Sequence, residues 1–133
     1  MTLRIAGICS FHPFFPRLHY PLIDIDGKPR QSTIIRDLHI LSKELKCELT
    51  FTIEESPHGY HVYIWKPFPR RQAFNIIHDF PNADKSYAKI GWKRKHWFLR
   101  TTQVFNTPVP VTYMSIEGGN WLREKLDFDA THN

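Results

Sequence analysis

Asp24 and Asp26 stand two apart in the segment from Tyr20 to Pro29, with isoleucines at 23 and 25. Side chains alternate faces along a strand, so both carboxylates point one way and both isoleucines the other. Two acids about 6–7 Å apart on one strand face repel each other and are costly to bury. A hard divalent cation, Mg²⁺ or Mn²⁺, takes carboxylate oxygens and removes that cost. The pair also fits a strand end running into an Asp-Gly turn with both acids solvated. The elements that follow weigh against that simpler reading.

Hydrophobic periodicity supplies the scaffold. Leu3 to Cys9 reads as a short strand, followed by an irregular arm dense in Pro and Phe. Tyr20 to Asp26 reads as a buried strand that Gly27 and Pro29 stop. Ser32 or Thr33 is expected to cap a helix whose stripe is Ile34, Leu38, Leu41 and Leu45, ending near Lys46. Glu48 to Glu54 alternates with period two, Glu55 to Gly59 is a turn by composition, and Tyr60 to Trp65 alternates again, which predicts a hairpin. Pro67 and Pro69 open a second helix, Pro69 in its first turn, with Ala73, Ile76, Ile77 and Phe80 as its stripe. The segment from Pro81 to Asp84 breaks it. Lys95 to Thr102 reads as another strand, Val109 to Ile116 as one more, and Trp121 to Leu126 as a short closing helix.

From residue 20 to 102 the order is β-α-β-β-α-β. Right-handed crossovers put both helices on one face of a four-stranded antiparallel sheet. The expected class is therefore α+β, ferredoxin-like or RNA-recognition-motif-like, with short additions at both ends of a single domain spanning 1–133. Ile23, Ile25, Leu49, Phe51, Ile53, Val62 and Ile64 then meet the helices. Asp24, Asp26, Thr50, Thr52, Glu54, His61, Tyr63 and Trp65 fall on the other face, expected to be bare. Acids, a histidine and large aromatics gathered on one uncovered surface mark a site.

The strand Leu22 to Asp26, the later turn and strand from Ser56 through His58, Gly59 and His61 to Ile64, and a subsequent acid together resemble the catalytic core of the archaeo-eukaryotic primase (primase-polymerase) superfamily. The resemblance covers about residues 20–102. It implies template-dependent nucleotidyl transfer with Mg²⁺ or Mn²⁺ held by Asp24, Asp26 and a third carboxylate. That third acid is Asp84, with Asp79 as the alternative; Asp127 and Asp129 lie past the core. By the same likeness a histidine contacts the triphosphate. His61 is preferred because it shares a face with Asp24 and Asp26, while Ser56 to His58 also matches a serine-x-histidine pattern. Asp24, Asp26, His61 and Asp84 are thus the expected catalytic residues. Ser56, His58, Gly59, His61 and Arg100 are the expected nucleotide contacts, Gly59 by letting backbone approach phosphate. The zinc segments and helicase domains of that family have no counterpart here, which makes a separate helicase or replication protein a candidate partner.

A net charge of +5 and a pI near 9.4 point the same way, toward a polyanion. Lys93, Arg94 and Lys95 form one basic block, with Tyr63 and Trp65 as stacking residues for a DNA or RNA template; Lys28 and Arg30 are weaker candidates. Trp92 and Trp97 read as core. Cys9 and Cys47 are too few for a disulfide framework, and His12, His19, His39, His78, His96 and His132 show no metal-ligand spacing. A composition of 41% hydrophobic and 14% aromatic residues excludes disorder, and no apolar run reaches the roughly 18–20 residues that span a bilayer. A cytoplasmic setting, in a cell or encoded by a virus or plasmid, is expected. Two rivals use the same fold. One is a non-catalytic single-strand binder, which leaves the two acids unexplained. The other is a rolling-circle replication nuclease using His58, His61 and Tyr87, whose histidines are one residue too far apart.

Overall fold

The computed structural model describes residues 7–56 and 58–100 in full, and the backbone of two strands at 111–117 and 120–121. In chain order the elements are β1 (Gly7–Cys9), β2 (Leu18–His19), β3 (Leu22–Asp26), α1 (Gln31–Leu45), β4 (Leu49–Ser56) and β5 (Gly59–Ile64). Then come β6 (Phe68–Pro69), α2 (Arg70–Asp79), α3 (Lys85–Arg94), β7 (Phe98–Arg100), β8 (Val111–Glu117) and β9 (Asn120–Trp121). The chain is α+β, with antiparallel sheets. Among the described residues no helix is long and apolar enough to cross a membrane.

Period-two alternation builds the main sheet, ordered β3-β5-β4-β8-β9. Ile23, Val62 and Ile53 stand in one cross-strand line and are at most 1% exposed. With Ile25, Phe51 and Ile64 they join Ile34 and Leu38 of α1 and Ala73, Ile76 and Ile77 of α2 in one core. The helix-facing residues are therefore those read from the sequence. The cap is not: Arg30 occupies the N-cap of α1 without a side-chain bond, and Ser32 and Thr33 lie inside the first turn. Pro69 likewise sits at the N-cap of α2, one place before the first turn.

Helix α3 fills the stretch between the break at Pro81 to Asp84 and Lys95, for which the sequence pattern indicates no element. Its buried face is Ala88 and Gly91, two small residues that leave almost no apolar stripe. Gly91 is required there because the Trp97 indole fills the place of a Cβ, and the same indole N–H donates to the Ala88 carbonyl at 3.0 Å. Asp84 caps α3, its carboxylate accepting from the Tyr87 amide at 3.1 Å.

The expected fourth core strand is a correction. Phe98–Arg100 lies near β3 but pairs with β1, Ile8 opposite Leu99, in a separate two-stranded sheet. The outer edge of β3 is instead closed by residues 82 to 87. The Asp84 amide donates to the Asp24 carbonyl at 2.8 Å, the Asp26 amide to the Asn82 carbonyl at 2.9 Å, and the Tyr87 hydroxyl to the Leu22 carbonyl at 3.0 Å. An edge strand's free backbone groups are satisfied by a short segment rather than a full strand. At the C-terminal end, 120–121 is strand rather than helix; residues 122–126 lie outside the described residues, as do Leu3, Asp127, Asp129 and His132.

The second face of the sheet is not bare, which is a further correction. Leu22, Tyr63, Thr52 and Glu54 are all buried there. Trp65 stacks on Tyr63 with centroids 5.6 Å apart and donates its indole N–H to Thr52 Oγ1 at 2.8 Å, while Tyr20 packs edge-on against Trp65. Aromatic stacking and one hydrogen bond thus seal the end of that face away from the acids.

Candidate active site at the open end of the sheet

Strand register arranges the second face in cross-strand rows. Leu22, Tyr63 and Thr52 form the inner row, Asp24, His61 and Glu54 the middle one, and Asp26, Gly59 and Ser56 the row at the rim. Ala83 faces Ile25 in an antiparallel bridge, so Asp84 is the lateral neighbour of Asp24 and extends the middle row. The result is a line of four ionisable groups, Asp84, Asp24, His61 and Glu54, contributed by a loop and three strands.

His61 is held between two acids. Its Nδ1 lies 3.0 Å from Glu54 Oε1, and its Nε2 lies 3.8 Å from Asp24 Oδ1. An ionised carboxylate only accepts, so Nδ1 carries a proton and Nε2 is the atom presented to Asp24. The same Glu54 oxygen accepts from the Tyr63 hydroxyl at 2.9 Å. Glu54 is 6% exposed, and its two donors fix both the carboxylate and the imidazole. Burial pushes the Tyr63 hydroxyl far above its ordinary range, with the Glu54 charge adding to the shift, so Tyr63 stays a proton donor.

Asp24 has its carboxyl raised above the ordinary value. Loss of solvent is the main cause; Asp84 and Asp26 add to it, and His61 and His58 oppose it. Negative charge is therefore concentrated where water is partly excluded. Oxygen donors in that state suit Mg²⁺ or Mn²⁺, which commonly bind through one or two carboxylates plus water and substrate phosphates. Asp24 and Asp84 fit that pattern, since the cap bond of Asp84 uses one carboxylate oxygen and leaves the other. Asp26 is exposed at the strand end. Among the described residues no three His, Cys, Asp or Glu side chains converge as a ready-made ion cage.

The remaining expected residues separate. Asp79 is exposed and engages His78 at 2.8 Å, leaving Asp84 as the acid beside Asp24. Ser56 is half-buried on the rim row, and His58 is exposed in the turn between β4 and β5. Gly59 has a packing reason of its own. The space a Cβ would need is taken by the Ile25 carbonyl oxygen, with the Gly27 carbonyl oxygen 2.6 Å away, so glycine seats the hairpin against β3. Tyr63 is 1% exposed and offers no face to a base; Trp65 is half-buried against it. Lys93, Arg94 and Lys95 are exposed at the far end of α3, ten residues and about 15 Å along the axis from Asp84. Arg100 is exposed opposite Gly7, and Lys28 and Arg30 are exposed just after the turn at Gly27.

Tyr87 lies on a helix, yet its hydroxyl is bonded to the Leu22 carbonyl and burial raises its pKa, so it is not poised as a nucleophile. Trp97 is core, and Trp92 is half-buried beneath the Arg70 and Arg71 guanidiniums at 4.2 and 4.8 Å. Cys9 and Cys47 are free thiols. Sequence reasoning placed Glu54 on the right face but gave it no role; its position one strand from His61 in the hairpin register was the available signal. No protein-family model, curated protein or solved structure matches the chain.

Proposed function

We propose that the row Asp84, Asp24, His61 and Glu54 is the active site of a primase-polymerase-like nucleotidyltransferase acting on a nucleoside triphosphate and a DNA or RNA template. The observation that carries this reading is the backbone-enforced pairing of Asp84 with Asp24 beside a histidine buttressed by Glu54. The first three core strands support the likeness, since β3-β5-β4 is the first-third-second order of a ferredoxin-like sheet.

In the reaction a 3′-hydroxyl oxygen attacks the α-phosphorus, the bond to the bridging oxygen breaks, and pyrophosphate leaves with that electron pair. When bound, Mg²⁺ or Mn²⁺ lowers the pKa of the attacking hydroxyl and neutralises phosphate charge. Asp24 and Asp84 would hold the cation, with Asp26 the exposed acid on the neighbouring rim row. With a second proton on Nε2, His61 would donate to a phosphate oxygen, a charge-assisted bond that the Glu54 carboxylate on Nδ1 would strengthen. Glu54 touches no substrate and acts as a positioning residue.

Isothermal titration with Mn²⁺ and with nucleoside triphosphate, on wild type and Asp24→Asn, tests the reading alongside primer extension with dNTPs and NTPs. The expected result is cation-dependent triphosphate binding that the substitution removes, together with extension by wild type only. Equal heats for the two proteins would overturn it.

A further inference from the structure

The most exposed large apolar side chains of the described residues are not at the acid row. Phe14 is 83% exposed and Phe15 60%, adjacent residues at the tip of the arm between β1 and β2. The arm is built rather than loose. Its base is tied by the Tyr20 amide to the Ser10 carbonyl and the His12 amide to the Leu18 carbonyl, at 2.8 and 3.0 Å. Its tip is closed by the Leu18 amide on the Phe15 carbonyl and by His12 Nδ1, which accepts from the amides of Phe14 and Phe15 at 3.1 and 3.2 Å. Below, Ser10 is fully buried, bonded to His19 and to the Trp97 amide. Two phenylalanines are thus presented to solvent by a shaped hairpin.

A file of rings leads from that tip to the acid row. His12 contacts Phe15 at 5.2 Å and Tyr20 at 5.6 Å; Tyr20 contacts Trp65 at 5.6 Å; Trp65 stacks on Tyr63, which meets His61 at 6.4 Å. The arm end of it is basic, whereas its inner end meets Glu54 and Asp24, and Glu48 is exposed near Lys66. No acidic residue precedes Asp24 in the chain, Arg17 is exposed at the tip, and Lys66 is exposed beside Trp65.

We infer that the arm is a docking platform for single-stranded nucleic acid, with Phe14 and Phe15 stacking on unpaired bases and Arg17 and Lys66 meeting the backbone. Exposed rings interleaved with cations suit an unstacked strand, because every base has a π-face while a duplex hides it. The inference deepens the proposed function by naming the surface that receives the template, and it relocates base stacking from Tyr63 to the arm.

The test is fluorescence anisotropy with labelled oligothymidylate, oligouridylate and a DNA duplex, in EDTA and without triphosphate. Wild type is expected to bind the single strands in preference to duplex. Phe14→Ala/Phe15→Ala is expected to weaken single-strand binding by about tenfold or more, and Phe14→Trp/Phe15→Trp to retain it. Arg17→Gln is expected to flatten the salt dependence. Both rings are exposed, so matching thermal unfolding should show the variants folded; Phe14→Ala alone serves as a second, milder variant. Unchanged affinity of the alanine variants would overturn the inference. So would a wild type that binds no oligonucleotide, or binding unchanged while the double variant abolishes self-association or sedimentation with phosphatidylserine vesicles. Because no nucleotide chemistry enters this assay, strand binding without any nucleotide transfer would retire the activity and leave the platform, and the converse result would do the opposite.

Discussion

Replacing Glu54 separates its charge from its hydrogen bonds, because both partners converge on one oxygen. His61 Nδ1 and the Tyr63 hydroxyl reach Oε1 at 3.0 and 2.9 Å. Glu54→Gln can keep a carbonyl oxygen in that place and so retain both bonds, losing the charge alone. Hydrogen bonds to a charged group contribute about 1.5–3 kcal/mol and neutral ones about 0.5–1.5, so the loss is about 1 kcal/mol per bond and about 2 in total. Glu54→Ala removes the oxygen and strands two inward-facing donors, each costing about 1–3 kcal/mol, which puts the pair near 2–6 kcal/mol. Urea unfolding at neutral pH measures both variants. Nitrogen-proton correlation spectra of the His61 ring report the second consequence, that Nδ1 loses its fixed proton in Glu54→Ala but keeps it in Glu54→Gln. Triphosphate affinity should fall in both, since neither backs the His61 ring with a charge. Two variants of equal stability, or both within about 0.5 kcal/mol of wild type as for ordinary surface changes, would refute the reasoning.

Asp24→Asn should lose cation binding and yet stabilise the fold at neutral pH. The folded carboxyl of Asp24 is raised, chiefly by desolvation, so the folded state holds this proton more tightly than the unfolded one. The penalty is absent at low pH and appears as pH climbs through the ordinary carboxylate value to the raised one. Urea midpoints from about pH 3 to pH 7 should therefore show the variant gaining on wild type across that window. Wild type remaining the more stable at pH 7 would mean that attraction to His61 outweighs burial. Gly59→Ala should cost about 1–3 kcal/mol by forcing the hairpin off the Ile25 and Gly27 carbonyls, read as a lower thermal midpoint; a fully tolerated alanine would contradict the close approach.

Period two carried most of what the sequence could tell. Ile23, Ile25, Phe51, Ile53 and Val62 face the helices because a strand leaves them no other choice, and the same parity puts Asp24, His61 and Glu54 together. What parity cannot say is whether a face is covered. Tyr63 and Trp65 seal one end by stacking on each other, a contact that depends on χ angles and on Tyr20 arriving from another segment. Helix α3 was hidden for a related reason. Its contact face is Ala88 and Gly91, where absence of side chain is the packing feature, and its partner Trp97 lies beyond its end. The pairing of β7 with β1 rather than β3 is a competition between two partners for one strand, and single-strand patterns do not rank them.

That competition also explains how the acid row comes to exist. With β7 paired elsewhere, the outer carbonyls of Leu22 and Asp24 and the amide of Asp26 need partners, and residues 82 to 87 provide them. The bridge that satisfies those groups also fixes parity, and parity sets Asp84 beside Asp24 rather than facing away. One segment therefore closes a vulnerable edge, caps α3 and supplies a second carboxylate to the site. The arrangement is expensive for the fold alone, since it places like charges side by side where water is partly excluded, and apolar isosteres there would be no worse for stability. On the proposed reading a cation would turn that liability into binding energy, and the positive end of α3, beginning at Asp84, would favour the phosphates that accompany it.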